Sequence, residues 1–312
     1  MQQKITPCLW FDKNCEEAVN FYISVFPNSS ITSIKRYPEG MTEEPMQGMS
    51  GKVLTAVFEL DGLTFQALDG GPIFKINPSV SFMVNFDPSR NPNAAHDLDV
   101  MWEKLSEGGH ALMPLQEYPF SKKYGWVEDR FGVSWQLILT DPSGEPRPSI
   151  VPSMLFVGAV AGKAEEALNF YVSTFKQNSK IGTVATYPAG MEPEKEGSAM
   201  FAEAQLAGQW FAAMDSANPG HHFSFSEAVS FCVECADQAE VDYFWSALVE
   251  GGGQESQCGW LKDRYGFSWQ VVPTRMIELM SDPDAEKSKR ALSAMMEMKK
   301  LVIADLEKAA QG

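Results

Sequence analysis

The chain of 312 residues is 44% hydrophobic, 12% aromatic and 21% charged, which is the composition of a globular protein of about two domains. Its 25 basic and 41 acidic residues give a net charge of −16, so we expect neither nucleic acid nor an anionic membrane surface as a partner. The sequence also lacks an apolar run of the ~20 residues that a membrane span needs.

The N-terminal residues MQQKITPCLWFDKNCEEAV place charges where a signal peptide needs an uninterrupted apolar stretch. The five cysteines form no even framework of pairs, as expected in a reducing compartment. Cys232 and Cys235 have CxxC spacing, but they fall in the alternating stretch SFCVEC, where residues three apart point to opposite faces. We therefore expect a cytoplasmic protein with buried thiols and no metal or redox pair at this motif.

The chain begins with a strand, a helix and three further strands. ITPCLWF, from Ile5, is a short apolar strand, SSITSIKRY is a second, and KVLTAVFEL and LTFQALD are joined by a tight turn at Asp61-Gly62. The helix after the first strand has a single apolar stripe, formed by Cys15, Ala18, Val19, Tyr22, Val25 and Phe26. This order predicts a βαβββ module.

A second βαβββ module follows from Ser79, with a helix that ends at Gly108-Gly109 and a closing strand, turn and strand in WVEDRFGVSWQL. In the turn, we expect Asp129 to accept backbone amides while Gly132 supplies a permissive backbone, a structural role and not a catalytic one. The preceding stretch, MPLQEYPFSKKYGW, brings aromatic residues to the same end of the module. We predict a lid there, formed by Tyr118, Phe120 and Tyr124.

Both modules occur a second time. FYISVF, from Phe21, matches FYVSTF, from Phe170, and GWVEDRFGVSWQ (125–136) matches GWLKDRYGFSWQ (259–270) at eight of twelve positions. The second copy lacks most of the lid stretch, so we expect the two copies to be used differently. The predicted segments are a first domain at 1–140, a Pro/Gly/Ser-rich linker at 141–152, a second domain at 153–274 and a tail at 275–312.

The tail has apolar residues at helical spacing, and Asp282 or Asp284 is placed to cap a helix. We predict a helical clasp that packs on a domain. A helix that binds a partner is the alternative.

Paired βαβββ modules that end in an aromatic-Gly turn and a Trp-Gln strand resemble the vicinal-oxygen-chelate superfamily, which includes glyoxalase I, extradiol dioxygenases and bleomycin-resistance proteins. More closely, ITPCLWFDKNCEEAVNFY, FELDGLTFQALDGGP and CGWLKDRYGFSWQVVP are similar to its PhnB-like branch, many members of which carry the name 3-demethylubiquinone-9 3-methyltransferase. The resemblance covers nearly the whole chain, once per copy. It implies an α+β fold in which paired βαβββ modules form open barrel-like sheets around a small-ligand pocket, in two tandem domains followed by the helical tail.

In the metal enzymes that this chain resembles, the ligands lie on the first and last strands of each module. Those positions fall at four residues in each copy: Pro7, Gln66, Ser81 and Gln136, then Pro152, Ala212, Ser230 and Gln270. None is a histidine or a carboxylate, so we expect no catalytic metal. The methyltransferase name implies S-adenosylmethionine, but no Gly-rich loop follows a strand, so we expect no cofactor either.

Period-two alternation sorts the strand residues by face. With the glutamines facing inward, it predicts a pocket lined by Phe11, Gln66, Ser81, Met83, Asn85, Gln136, Ser230 and Gln270. Such an apolar lining with a few amides and hydroxyls suits a small neutral or aromatic molecule, and the acidic charge balance also permits a cationic one. The alternative is a filled barrel whose amides bond one another.

We therefore expect a small-molecule-binding protein without the usual catalytic metal. Two alternatives stay open: an enzyme of unassigned reaction, whether a lyase, a dioxygenase or the nominal methyltransferase, and a structural fusion in which one copy stabilises a functional other. The residues leave undecided whether the chain is an enzyme. Because two copies in one chain can pair with each other as an intramolecular pseudo-dimer, we expect a monomer.

Overall fold

The computed structural model describes residues 3–37 and 48–312. Module 1 consists of β1 (Ile5–Phe11), α1 (Cys15–Val25), β2 (Ser30–Arg36), β3 (Val53–Leu60) and β4 (Leu63–Asp69). Module 2 consists of β5 (Val80–Phe86), α2 (Ala94–Ser106), β6 (His110–Tyr118), β7 (Ser121–Glu128) and β8 (Ser134–Leu139).

The second copy repeats this order. Module 3 consists of β9 (Ile150–Val157), α3 (Ala164–Phe175), β10 (Lys180–Thr186), β11 (Ala199–Leu206) and β12 (Gln209–Ser216). Module 4 consists of β13 (Val229–Cys235), α4 (Gln238–Val249), β14 (Gln254–Glu255), β15 (Trp260–Lys262) and β16 (Ser268–Pro273). The tail consists of α5 (Thr274–Met280), α6 (Ala285–Met296) and α7 (Ile303–Gln311).

The chain folds into two compact units, Cys8–Ser224 and the segment up to Pro7 together with Phe225–Gly312. In the larger unit, modules 2 and 3 share one sheet, whose order over the described residues is β10-β11-β12-β9-β5-β8-β7-β6. β5 and β9 join the modules as antiparallel neighbours, with Ser81 opposite Ser153. The modules that share this sheet therefore belong to different copies of the repeat.

The remaining strands also follow the module pattern. From Cys8 onward, β1 belongs to the larger unit, where the module 1 ladder has the order β1-β4-β3-β2, and the smaller unit contains β13-β16-β15-β14 from module 4. In each module the first strand runs parallel to the last, as Cys8 pairs with Gln66 and Cys232 with Gln270. This arrangement confirms the predicted α+β fold of paired βαβββ modules.

Buried aspartates at the ends of β4 and β12 hold the starts of the two helices above them. Asp69 accepts N–H bonds from Lys13 at 2.6 Å and Cys15 at 3.2 Å, and Asp215 accepts one from Ala164 at 3.0 Å. Burial raises the pKa of both carboxyls, although these N–H bonds oppose the shift. An acceptor at a helix N-terminus satisfies amides that have no partner inside the helix, so these aspartates are structural.

The repeated closing turn is held by Asp129. Its Oδ1 accepts N–H bonds from Phe131 at 2.8 Å and Val133 at 3.1 Å, and its Oδ2 accepts the indole N–H of Trp135 at 2.8 Å. Gly132 has a φ of 87°, in the left-handed region, where a residue with a side chain would be strained. These three bonds hold the turn and the start of β8, which is a structural role.

The second turn uses the same bonds. Asp263 accepts N–H bonds from Tyr265 at 2.8 Å, Phe267 at 3.0 Å and the indole of Trp269 at 2.8 Å. The Asp-Arg-aromatic-Gly signature therefore builds the same turn in both copies.

The tail packs in the smaller unit, as the sequence predicts. Its helices surround a small apolar cluster that includes Leu279, Leu301 and Leu306. The chain before α7 pairs with the closing strand region, since the Gly259 N–H donates to the carbonyl of Lys299 at 2.8 Å. Asp284 caps α6. Across residues 3–37 and 48–312, no helix is long and apolar enough to cross a membrane.

Candidate functional site

A cavity of about 360 Å³ lies on one face of the sheet that modules 2 and 3 share. Its apolar floor is the cluster of Met83, Val151 and Ala212, with Ile138 and Phe201 packed against it. Strand register explains why these side chains converge: Met83 pairs with Gln136 and with Val151, and Phe201 lies on the strand next to β12. The second copy leaves room for the cavity because β12 carries Ala212, where the first copy has Gln66.

Gln136 is the polar centre of the cavity wall. Its Oε1 accepts the Tyr124 hydroxyl at 2.6 Å, and its Nε2 donates to Ser81 Oγ at 2.7 Å. Burial raises the pKa of Tyr124, with a smaller contribution from Tyr118, so the phenol stays protonated and remains a donor. Only 1% of Gln136 is exposed, so these two bonds fix the orientation of its amide.

An ion pair forms another part of the wall. Arg147 Nε and Nη2 donate to the two oxygens of Glu203, at 3.0 and 2.6 Å, and its guanidinium lies 4.0 Å from the ring centroid of Trp210. Burial raises the pKa of Glu203, but Arg147 and the amide of Thr183 outweigh it and hold that pKa below its ordinary value. The pair is therefore charged on both sides and contributes no net charge to the cavity.

Aromatic side chains of the β6–β7 hairpin lie at the cavity. Phe120 is at its tip, lines the cavity and is 58% exposed. Its ring stacks on Tyr118, with centroids 5.6 Å apart, and meets Tyr124 edge-on at 5.0 Å. The three residues predicted as a lid thus form one cluster, and two of them, Phe120 and Tyr124, border the cavity.

The structure brings some of the predicted pocket residues together. Met83, Asn85 and Gln136 line the cavity, and Ser81 bonds Gln136 from the same face of the sheet. Ser230 and Gln270 form the corresponding pair in the smaller unit, where Gln270 Nε2 donates to Ser230 Oγ at 3.0 Å.

Two grouping predictions need correction. Gln66 was expected beside Gln136, but it lies on β4 in the β1-β4-β3-β2 ladder, outside the cavity that Gln136 lines. Phe11 was expected to face inward with Gln66, but it pairs with Asp69, whose carboxylate bonds the start of α1. Phe11 therefore points to the helix side, while Cys8 is the residue that pairs with Gln66.

The same one-residue slip occurs on β9. Pro152 pairs with Phe82, whereas Ser153 pairs with both Ser81 and Ala212. In a strand a slip of one residue exchanges the two faces, so Ser153, and not Pro152, lies on the cavity side of the sheet.

Sequence reasoning missed Arg147 and Glu203. Arg147 lies inside a Pro-rich segment that resembles an ordinary linker, and Glu203 is an isolated acid in the apolar strand AMFAEAQL. A buried charge in a strand needs a partner, so Glu203 was the available signal.

The residues on this face do not fit the metal site of the superfamily. The four corresponding positions hold Ser81, Gln136, Ser153 and Ala212, and the one amide oxygen among them accepts the Tyr124 hydroxyl. A divalent ion needs anionic or imidazole ligands, which this set does not offer. Over the described part of the chain, no group of three His, Cys, Asp or Glu side chains is placed to hold a metal.

Comparison with known families gives a match over residues 3–138 and again over 148–272, to the family described as 3-demethylubiquinone-9 3-methyltransferase. The chain belongs to this family. Its tandem organisation is reflected in the two matched ranges, one for each copy. The comparison with curated proteins gives no match.

Solved structures are similar to one copy of the chain or to most of it. A PhnB protein from Bacillus cereus is 41% identical over 44% of this chain and 100% of its own, with a TM-score of 0.39. Glyoxalase I from Zea mays is 11% identical over 90% of this chain and 98% of its own, with a TM-score of 0.51. At that identity, glyoxalase I shows a shared fold alone.

The family name implies a methyl donor. S-adenosylmethionine would need a Gly-rich turn between a strand and a helix, but the first such junction reads DKN, at 12–14, and the second DPSRNPN, at 87–93. The junction before α3 does contain glycines, but the amides of Gly162 and Ala164 are bonded to Asp215. The residues at these junctions do not fit the cofactor.

Proposed function

We propose that this family member binds a small, flat and mainly apolar molecule in the cavity between modules 2 and 3, without the catalytic metal of the superfamily. The observation that carries the proposal is the composition of the cavity: an apolar floor beside one oriented amide. A volume of about 360 Å³ falls within the usual range for small-ligand pockets.

The hydrogen-bonding groups favour a ligand with one or two polar atoms. Gln136 Nε2 has a second hydrogen beyond the one it gives to Ser81, and the Tyr124 oxygen retains acceptor capacity beyond its bond to Gln136. A phenol can use both, because its oxygen accepts from the Gln136 amide while its O–H donates to Tyr124, whereas a ring carbonyl can only accept from the amide. The rest of its surface would lie against Met83, Val151 and Phe201.

The charges favour a neutral ligand over a cation. Glu203 is the carboxylate in the cavity wall, and Arg147 already neutralises it with two hydrogen bonds. A cationic ligand would have to displace the partly buried guanidinium of Arg147 from the buried carboxylate of Glu203, which leaves the arginine without that partner. Of the neutral, aromatic and cationic ligands expected from the sequence, the geometry therefore supports a neutral aromatic one.

The donor set supports the proposed absence of a resident metal, which is testable by itself. Serine hydroxyls, one amide and an alanine do not hold Zn²⁺, Ni²⁺ or Mn²⁺ tightly. We expect elemental analysis of the purified protein to find far less than one such ion per chain. A content of about one ion per chain after dialysis would contradict this part of the proposal. The proposal assigns no reaction.

The cavity itself is tested by thermal shift with 4-ethylphenol and 2-naphthol. At a concentration of about ten times Kd, binding is worth about 1.4 kcal/mol, and we expect Tm to rise by about 2–4 °C. Gln136→Ala should weaken binding at least five-fold. Gln270→Ala is the matched control, because it removes the same Gln–Ser bond from the smaller unit and should leave binding unchanged.

Two outcomes would contradict the proposal. The first is no shift with either compound. The second is equal loss of binding in Gln136→Ala and Gln270→Ala, which would attribute the effect to stability and not to the cavity.

A further inference from the structure

A second depression, called the groove here, lies next to the cavity in the larger unit. It has a volume of about 560 Å³ and is bordered by the end of α1, the end of β5 and the start of α2, with Ser24, Phe86 and Ala94 among its residues. Among the residues that line the cavity and the groove, Asn85 and Arg147 border both. Asn85 borders both spaces from β5, and Arg147 borders both from the linker.

The guanidinium of Arg147 is held on several sides. Glu203 receives two of its donors, and Nη1 donates to the carbonyl oxygens of Glu145 at 3.2 Å and Pro146 at 3.4 Å. Trp210 covers one face of the guanidinium plane. With its in-plane donors engaged, the group offers the cavity a planar surface and few free donors.

The backbone that carries Arg147 is fixed as well. Asn85 Nδ2 donates to the Pro148 carbonyl at 2.8 Å, and the Asn85 N–H donates to the Ser149 carbonyl at 2.8 Å. From the groove side, Arg90 Nη1 donates to the Arg147 carbonyl at 3.5 Å. The end of the linker between the copies is therefore hydrogen-bonded to β5.

We propose that Arg147 determines ligand specificity by closing the cavity at the groove, so that it limits the length of the molecule the cavity accepts. The inference rests on the proposed function and adds the ligand class: a single aromatic ring whose polar atom meets Gln136 and whose short apolar substituent ends at the guanidinium. The linker occurs once in the chain, so the wall is a feature of this sheet.

The test is calorimetric titration with 4-n-alkylphenols from methyl to octyl. Each buried methylene strengthens binding about four-fold, so affinity in the unchanged protein should rise with chain length until the chain meets Arg147, and then level off or fall. The variant to compare is Arg147→Ala combined with Glu203→Gln, because the amide avoids an unpaired buried carboxylate and can still accept the Thr183 N–H.

In this double variant, we expect the alkyl chain of the phenol to extend into the groove. We expect the length of tightest binding to increase by at least two carbons and the affinity of the longest binders to increase about ten-fold relative to Glu203→Gln alone. Arg147→Lys, which keeps the charge but lacks the planar group, should give an intermediate length. Val100 borders only the groove, so Val100→Ala should leave the length profile unchanged.

The outcomes separate this inference from the proposed function. One outcome contradicts only the role of Arg147: the phenols bind and Gln136→Ala weakens their binding, but the length profile is the same in all Arg147 variants. Ligand binding in the cavity would then still be supported. If no alkylphenol binds the unchanged protein, both are overturned. Circular dichroism melting curves confirm that each variant is folded before titration.

Discussion

The two closing turns, residues 125–136 and 259–270, share eight of twelve residues, yet the strands that lead into them differ in length. In the first copy β6 and β7 have nine and eight residues, whereas in the second β14 and β15 have two and three. The aspartate bonds inside the turns are the same in both copies. The shared residues thus specify the turn, and the unshared strands decide what the neighbouring glutamine contacts.

The contacts of the two glutamines show this difference. Gln136 and Gln270 each donate to a serine on the parallel strand, at 2.7 and 3.0 Å. Gln136 also accepts the hydroxyl of Tyr124, whose counterpart is Cys258 with φ of 60° and its sulfur 3.7 Å from that of Met296. The first copy therefore combines the turn with a tyrosine hydroxyl that donates to its glutamine, and the second copy has a cysteine at the tyrosine position.

The largest expected effect concerns the aspartate bonds that the two turns share. Asp129→Ala leaves two backbone N–H groups and one indole N–H buried without acceptors, and we expect a loss of about 3–5 kcal/mol in the free energy of unfolding. Asp263→Ala should cost the same within about 1 kcal/mol, because its three bonds match. Urea unfolding followed by tryptophan fluorescence measures both, and Asp12→Ala, on an exposed residue, is the control.

A different outcome would reassign the turn. If Asp129→Ala kept its stability and lost ligand binding, Asp129 would belong to the site and the turn would not be purely structural.

The next effect is the pH dependence of the stability that Asp129 contributes to the first turn. Burial raises the pKa of Asp129 to about 6 from its ordinary value of 3.8, although the N–H groups of Trp135 and Phe131 lower it. The folded protein thus holds this proton more tightly than the unfolded chain does. The stabilising contribution of Asp129 is complete below about pH 4 and is lost as the pH rises through 6.

Asp129→Asn removes that titration and leaves Asp263 in place. We expect the difference in unfolding free energy between the unchanged protein and Asp129→Asn to fall by about 2 kcal/mol between pH 4.5 and pH 7. Urea unfolding of both proteins across that range measures it. A difference that stays constant with pH would mean that the folded protein does not hold this proton.

The sequence predicts the modules and much of the site because both depend on local patterns. Alternation placed Met83 and Asn85 on the face of Gln136, and the structure puts all three at one cavity. The error at Phe11 and Pro152 has one cause: the first strands carry no glutamine to mark the inward face, and a slip of one residue exchanges the faces.

The pairing of modules could not be predicted in the same way. β5 pairs with β9 across the linker, and such non-local pairing leaves no trace in the turn signature, which is alike in both copies. Arg147 was missed for a related reason, since its partners Glu203 and Trp210 lie more than fifty residues away in the chain. Long-range partners decide the walls of the cavity.

The smallest expected effect concerns the hairpin that only the first copy has at full length. Phe120→Ala removes a ring that is 58% exposed and that contacts Tyr118 and Tyr124, so we expect a loss of less than about 1 kcal/mol in stability. In the proposed complex the exposed ring borders the ligand, so we expect ligand affinity to fall about three- to ten-fold, mainly through faster dissociation. Stopped-flow fluorescence with 2-naphthol measures the dissociation rate.

Ile73→Ala, which removes another exposed apolar side chain away from the cavity, is the matched control. Equal dissociation rates for Phe120→Ala and the unchanged protein would mean that the longer hairpin supplies Tyr124 to Gln136 and does not act as a cover.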